Sequence, residues 1–365
     1  MRIARVRLFN YRNLRDGDIY PSPGITLFSG CNGQGKTNIL EAIYLLAYSK
    51  SFHTSTPKEC VKYNAPCCRV DGVIEQGSLS RDIAVTINGT EKKVFLFGKP
   101  VPLNEFIGNL HLFAFTREHL GVVRGSPADR RAFLDRAMVS LYPEHIANLA
   151  VYNRALKQRN NVLSAVRDGK KAYEARLIDV WDEALAHSGA SVLLNRLKYV
   201  EKIKTKLPKG LFASEELKIH YISSLGIDSD DISSIKDIFR KKLWSVRERD
   251  RCSGYTSVGT HRDDLKMYVN GKSLVDFGSS GQQRSSLLSL YFSQMEIHFN
   301  EHGFYPVFIV DDAEAELDEE RLLIFLSYLS SRTQTLLTST RNFLKNSIYG
   351  DVLHFEVKDG EVLER

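Results

Sequence analysis

Eight residues near the start of the chain, Gly30-Cys31-Asn32-Gly33-Gln34-Gly35-Lys36-Thr37, fit the pattern G-x-x-x-x-G-K-[ST]. Glycines at this spacing let consecutive backbone N–H groups close on anionic oxygens. A helix beginning at the same point adds the positive end of its dipole. In such a loop Lys36 reaches the β- and γ-phosphates of a nucleotide, and the Thr37 hydroxyl ligates Mg²⁺. An ordinary glycine turn can match by accident, so the flanking elements matter. Ile25–Ser29 reads as a short buried strand and Asn38–Leu46 repeats apolar residues at helical spacing. Strand, loop and helix together predict a nucleoside triphosphate site.

A second set of chemical groups lies some 275 residues further on, at Asp311-Asp312 after the apolar run Pro306–Val310. Strands buried on both faces read this way, and α/β sheets bind ligands at the C-terminal ends of such strands. Asp311 is expected to hold Mg²⁺, directly or through water, and Asp312 to orient or deprotonate the attacking water. A core strand followed by an acidic helix cap at Leu317-Asp318-Glu319-Glu320 gives the same pattern, and it is the pairing with the phosphate loop that favours chemistry. So wide a separation calls for a large segment inserted into the nucleotide-binding lobe.

Between the two lies Phe277-Gly278-Ser279-Ser280-Gly281-Gln282-Gln283-Arg284, followed by an apolar-periodic helix. Small residues at a helix start form a second anion site, although a plain serine N-cap looks identical. One lobe cannot easily wrap this loop onto a phosphate held by its own residues 30–37, whereas a facing subunit can. His261-Arg262-Asp263-Asp264 invites a catalytic reading, but a buried ion-pair network between lobes is the stronger expectation. The ten histidines otherwise show no metal spacing.

The elements that must position these groups follow in order. The first hundred residues read as strands, with hairpin signals at Asn88-Gly89 and Gly98-Lys99. Helical periodicity starts near Ala128, in a stripe through Ile146, Leu149, Tyr152, Leu156 and Leu163. A second stripe runs through Tyr173, Leu177, Val180, Leu193, Leu197 and Val200. Asp168-Gly169 between them predicts an antiparallel helical hairpin. Its second arm, at about 36 residues, spans about 54 Å, too short for a long coiled-coil arm. Strand signals return at Leu265–Val269. The order is that of an α/β lobe, 1–115 plus 250–365, interrupted by a helical lobe at 116–249.

At 365 residues, 43% hydrophobic and 26% charged, the composition is that of an ordinary globular protein. No apolar run approaches a membrane span and no signal peptide is evident, so no membrane association is expected. Five cysteines without paired ligand spacing suggest reduced thiols in a cytoplasm. The net charge of +6 is a mild bias; Arg130, Arg131, Arg154, Lys157 and Arg159 are the expected contacts to nucleic-acid phosphates.

The stretches GCNGQGKTN, GTHRDDL, FGSSGQQRS and VFIVDDAEAELDEER, in that order, resemble the RecF family of bacterial recombination mediators. FNYRNL near the start, FTREHLGVVRGSPADRRAFLD and YNRALKQRNNVL extend the resemblance from about residue 3 to about residue 320. It implies an ABC/SMC-type ATPase head of mixed sheets and flanking helices with an inserted helical lobe. It further implies ATP and Mg²⁺ as cofactors, ATP-driven homodimerisation, DNA as a partner, and RecO and RecR mediators. Ser279, Gly281 and Gln283 would then contact the ATP held by the opposite protomer. Asp318 would lie in the D-loop, and Thr338 near the position where ABC ATPases carry a switch histidine. Three positions depart from the pattern: Asp312 is a methylene shorter than the glutamate of transporters, Ala315 stands in place of serine, and Thr260 in place of proline. Slow hydrolysis, suited to a timer, is the consequence expected of Asp312. Two other classes remain open, a transporter motor subunit and a nucleotide-dependent scaffold without turnover. The sequence GSSGQQ in place of LSGGQ argues against the first.

Overall fold

The computed structural model describes residues 1–139, 141–209, 215–227, 229–312, 314, 317–340 and 352–365. Ala315 lies outside the described residues. The chain divides into two compact units, Met1–Leu120 with His298–Arg365, and Gly121–Ile297.

The first unit holds two six-stranded sheets. One is antiparallel, in the order Gly17–Ile19, Arg2–Phe9, Cys67–Gln76, Leu79–Asn88, Glu91–Leu96, Lys99–Val101. Its strand Cys67–Gln76 alternates buried and partly exposed residues, as a strand with one wet face does. The other runs Glu361–Glu364, Val352–Lys358, Ile25–Ser29, Thr335–Ser339, Val307–Val310, Leu112–Phe115. All its pairings are parallel except the terminal hairpin at Asp359-Gly360. Ile25–Ser29, Thr335–Ser339, Val307–Val310 and Leu112–Phe115 are buried at every residue; the last two are unbroken apolar runs, while the first two also bury threonines and serines. The helix Lys36–Tyr48 is enclosed by one hydrophobic cluster. That cluster joins Phe28, Ile309 and Leu336 of the parallel sheet to Ile39, Ile43 and Leu46 of the helix and Val70 and Val85 of the antiparallel sheet. Helix and antiparallel sheet meet closely at Gly72, where a Cβ would stand 2.8 Å from Leu46 Cδ1.

The second unit contains the expected helical hairpin, Pro143–Arg167 against Ala175–Lys206, with Ile232–Ser245, Arg247–Ser253 and a three-stranded sheet built on Asp264–Val269. The second arm has 32 residues. Its buried face passes through Ile178, Leu185, Leu193, Val200 and Ile203, and Val180, expected in the stripe, is 60% exposed. The apolar count misplaced the stripe because the true face includes two charged residues, Asp182 and Arg196.

Those charges correct a second expectation. Arg159, expected to touch nucleic acid, is fully buried and donates to Asp182 (2.6 Å), Asp250 (2.7 Å) and Thr256 (2.9 Å). Arg130 is likewise buried, in a two-bond pair with Asp264 at 2.6 and 3.0 Å. Neither guanidinium faces solvent; Arg154 and Lys157 do. The His261–Asp264 stretch forms a buried polar network as expected, but inside the second unit rather than between lobes. Tyr152 pairs with His261 Nδ1 (2.7 Å), and Asp263 accepts from Tyr221 Oη (2.8 Å) and Ser224 N (2.7 Å). Burial pushes the Asp263 carboxyl above its ordinary value.

Candidate nucleotide site

The strand Ile25–Ser29 ends at the loop Gly30–Gly35, and the helix begins at Lys36. Two glycines are required by geometry. Gly30 has φ +149°, and a Cβ there would lie 2.3 Å from the Val357 carbonyl oxygen; Gly35 has φ +112°, and its Cβ would meet Leu14 Cδ2 at 2.7 Å. No larger residue fits either place, because the first obstacle is backbone and the second a buried core side chain. Lys36 is only 7% exposed, and its ammonium donates to the Gly30 and Cys31 carbonyls at 2.7 and 2.8 Å. Desolvation lowers its pKa, against the opposing pull of Asp312 and Asp311. The lysine is therefore folded over its own loop, a charge held ready for an anion.

Supports come from three directions. Gln34 is held by the terminal hairpin, accepting from Asp359 N through Oε1 and from Gly360 N through its carbonyl. Asn13 donates to Gly33 O (3.2 Å) and accepts from Asn38 (2.7 Å). Arg12 makes a two-bond pair with the fully buried Glu41 on the phosphate-loop helix, at 2.6 and 2.8 Å. That pair gives a physical role to the arginine of FNYRNL.

Asp311 of the distant pair lies beside the start of the phosphate-loop helix. Val307–Val310 delivers Asp311 beside the helix start, and Thr37 Oγ1 donates to Asp311 Oδ1 at 2.8 Å. Thr338 Oγ1 donates to the same oxygen at 2.8 Å and accepts from Asp312 N at 3.0 Å. Thr338 lies inside the strand Thr335–Ser339, one strand over, and in parallel register with Phe28. Burial raises the Asp311 carboxyl above its ordinary value although two hydroxyls donate to it. Asp312 is exposed and holds φ +49°, a left-handed conformation uncommon for a residue with a side chain. Lys36, Thr37, Asp311 and Asp312 thus form one site.

Two neighbours were not anticipated. Glu314 accepts from Ser339 Oγ through one carboxylate oxygen, and its other oxygen, which is buried, has no partner among the described residues. Thr338 was marked only for its position, and nothing in its surrounding residues signals that its hydroxyl joins both aspartates. Only the alignment of neighbouring strands reveals it.

Ser279, Gly281 and Gln283 belong to the second unit. The Ser280–His302 helix is capped reciprocally, Gln282 N donating to Ser279 Oγ (3.2 Å) and Ser279 N to Gln282 Oε1 (2.9 Å). Gln283 Oε1 accepts from Arg124 Nε (2.7 Å), and Arg124 also reaches Ser280 Oγ (3.1 Å). Phe277, just before the loop, is 74% exposed. Among the described residues no helix is long and apolar enough to cross a membrane.

The family described as "RecF/RecN/SMC N terminal domain" matches residues 2–354. The "DNA replication and repair protein RecF" of Halothermothrix orenii is 35% identical over 371 residues, 99% of this chain and 98% of that protein. The protein of the same name from Enterococcus faecalis is 33% identical over 374 residues, with coverage of 99% and 98%. A solved "recombination mediator protein RecF-ATPrS in RecFOR pathway" superposes with a TM-score of 0.91 at 29% identity, covering 100% of this chain and 98% of that one. The Smc head domain of Pyrococcus yayanosii shares the fold alone, at a TM-score of 0.58 and 12% identity over 100% of this chain and 96% of that one.

Proposed function

Because the chain belongs to the RecF family of the RecF/RecN/SMC group, we propose that it is an ATP-dependent DNA-binding protein of replication and recombinational repair. The observation that carries this reading is the Thr37–Asp311–Thr338 cluster, set against a lysine folded over a glycine loop. The buried Asp311 carboxylate, raised by desolvation and bonded by the Thr37 and Thr338 hydroxyls, offers oxygen donors without a charged partner of their own among the described residues. That suits a hard divalent cation with oxygen ligands, held by Thr37 and Asp311. Bound there, Mg²⁺ would neutralise charge on the phosphates.

In this reading residues 30–37 bind the triphosphate, Lys36 swings from its own carbonyls to the β- and γ-oxygens, and Asp312 orients the attacking water or takes its proton. Ser279, Gly281 and Gln283 of a second copy close the site, so ATP joins two heads and hydrolysis parts them. The head takes Met1–Leu120 with His298–Arg365 rather than the 1–115 plus 250–365 expected, and the unit Gly121–Ile297 offers DNA phosphates its exposed cations, Arg154 and Lys157 among them. Turnover is slow and stimulated by DNA, making it a timer for release. The protein acts in the cytoplasm at gapped or single-stranded DNA, supports recombinase loading with RecO- and RecR-type partners, and contributes to the SOS response.

Sedimentation with and without Mg·ATP, on gapped and blunt DNA, tests the assembly. Lys36→Ala is expected to stay monomeric with ATP, and Asp312→Asn to dimerise yet release no phosphate. A Lys36→Ala protein that still dimerises on ATP would remove the cradle from the mechanism. DNA affinity unchanged by a threefold rise in salt would remove the phosphate contacts.

A further inference from the structure

The geometry points to a metal site that the nucleotide reading does not use, formed by His111, His298 and His302 for a transition-metal ion of the Zn²⁺ class. Their ligand nitrogens lie within 4.8 Å of one another. No metal spacing among the histidines was expected, yet His298 and His302 stand at i and i+4, one above the other on a helix face. The third arrives from elsewhere: His111 directly precedes the edge strand Leu112–Phe115.

The tautomers are constrained. The Phe304 carbonyl can only accept, so Nδ1 of a neutral His298 carries the proton, at 2.9 Å. Its Nε2 therefore presents a lone pair to Nδ1 of His111, 2.6 Å away. A ligating imidazole whose other nitrogen donates to a carbonyl is the usual arrangement around a bound metal. Tetrahedral bonds of about 2.0–2.1 Å place two such nitrogens about 3.3 Å apart, so the pair opens by less than 1 Å. His111 shifts its proton to the other ring nitrogen, and no net proton is lost. The rings pack with centroids 4.6–4.9 Å apart, and the His111–His298 hydrogen bond already turns two of the ligand nitrogens toward each other. Three imidazoles without a carboxylate favour Zn²⁺, Co²⁺, Ni²⁺ or Cu²⁺ over Mg²⁺ or Ca²⁺. His298 is buried while His111 and His302 are partly exposed, which leaves an open coordination position facing solvent.

The location ties the ion to the nucleotide-binding sheet. The His111 carbonyl accepts from Val307 N at 2.9 Å, the first rung of the pairing that ends where Phe115 O accepts from Asp311 N, also at 2.9 Å. A cation here fastens the end of the Ser280–His302 helix to the strands that carry Asp311.

The test uses the full chain, chelator-treated and free of nucleotide, titrated with Co²⁺ alone and with Zn²⁺ alone. One equivalent of Co²⁺ is expected to give the visible absorption of a low-coordinate site, displaced by Zn²⁺. At Zn²⁺ a hundred times its dissociation constant the unfolding equilibrium constant falls about 100-fold. The partly exposed His302→Ala is expected to fold normally by circular dichroism and to lose both effects, while Thr37→Ala keeps them. Absent Co²⁺ absorption in the wild type, or absorption and zinc stabilisation that survive His302→Ala, overturns the assignment.

Discussion

Thr338→Val isolates a single hydroxyl. The threonine is 2% exposed, and its Oγ1 both donates to Asp311 Oδ1 at 2.8 Å and accepts from Asp312 N at 3.0 Å. Valine preserves the β-branched shape the strand prefers and removes only these two bonds. A hydrogen bond to a charged group contributes about 1.5–3 kcal/mol, and a buried N–H left without an acceptor costs about 1–3 kcal/mol. Partial relaxation makes a total loss near 3 kcal/mol the reasonable expectation. The consequence for catalysis is sharper, because the same bond holds Asp312 at φ +49°, a conformation costing about 1–2 kcal/mol. Released from Thr338, the Asp312 backbone relaxes toward negative φ and its carboxylate moves away from the water it would orient. A loss of about 2.7 kcal/mol of transition-state stabilisation lowers hydrolysis about 100-fold. ATP affinity changes less than about threefold, since Lys36 and the loop N–H groups are untouched. Phosphate release under single-turnover conditions, urea unfolding and nucleotide titration read the three quantities separately. Thr338→Ser, which retains the hydroxyl, is the control and is expected to hydrolyse near the wild-type rate. A valine variant as fast as the serine variant would refute the coupling of Thr338 to Asp312.

Four further outcomes follow from the second unit and the loop. Arg159→Met leaves Asp250 buried without its cation, while Asp182 keeps Arg247 at 2.6 Å, and is expected to cost about 3–5 kcal/mol in chemical unfolding. The double change Arg154→Ala and Lys157→Ala, at exposed positions, is expected to weaken DNA binding in a salt-dependent way while altering stability by less than about 0.5 kcal/mol. His261 is held to about 4 by burial, followed by its bond to the Thr256 carbonyl, which opposes that shift. The unfolded chain therefore binds the proton first, and the His261 contribution to stability is lost as pH falls from about 6.5 toward 4. Urea midpoints measured across that window are expected to fall in the wild type, and to fall less in His261→Gln. Gly30→Ala, driven against the Val357 carbonyl, is expected to unfold or to lose nucleotide binding in equilibrium dialysis.

Local chemistry was legible in the order of residues alone. A glycine loop between an apolar strand and an amphipathic helix, and an apolar strand ending in two aspartates, each declare a backbone geometry through steric and burial rules that act over a few residues. Hence Lys36, Thr37, Asp311 and Asp312 could be named before their meeting was visible. What the chain order could not decide was which charges face water and which distant groups share one oxygen. Arg159 and Arg154 are both arginines on one helix, and only Asp182 and Asp250, brought in by other helices, make the first a core residue. Thr338 joins the site because the strand carrying it pairs beside Ile25–Ser29 and Val307–Val310, and His111 meets His298 because an edge strand begins where a helix ends. The Thr338–Asp311 and His111–His298 contacts cross 27 and 187 residues of sequence, set by sheet register and helix packing, and no local pattern encodes them.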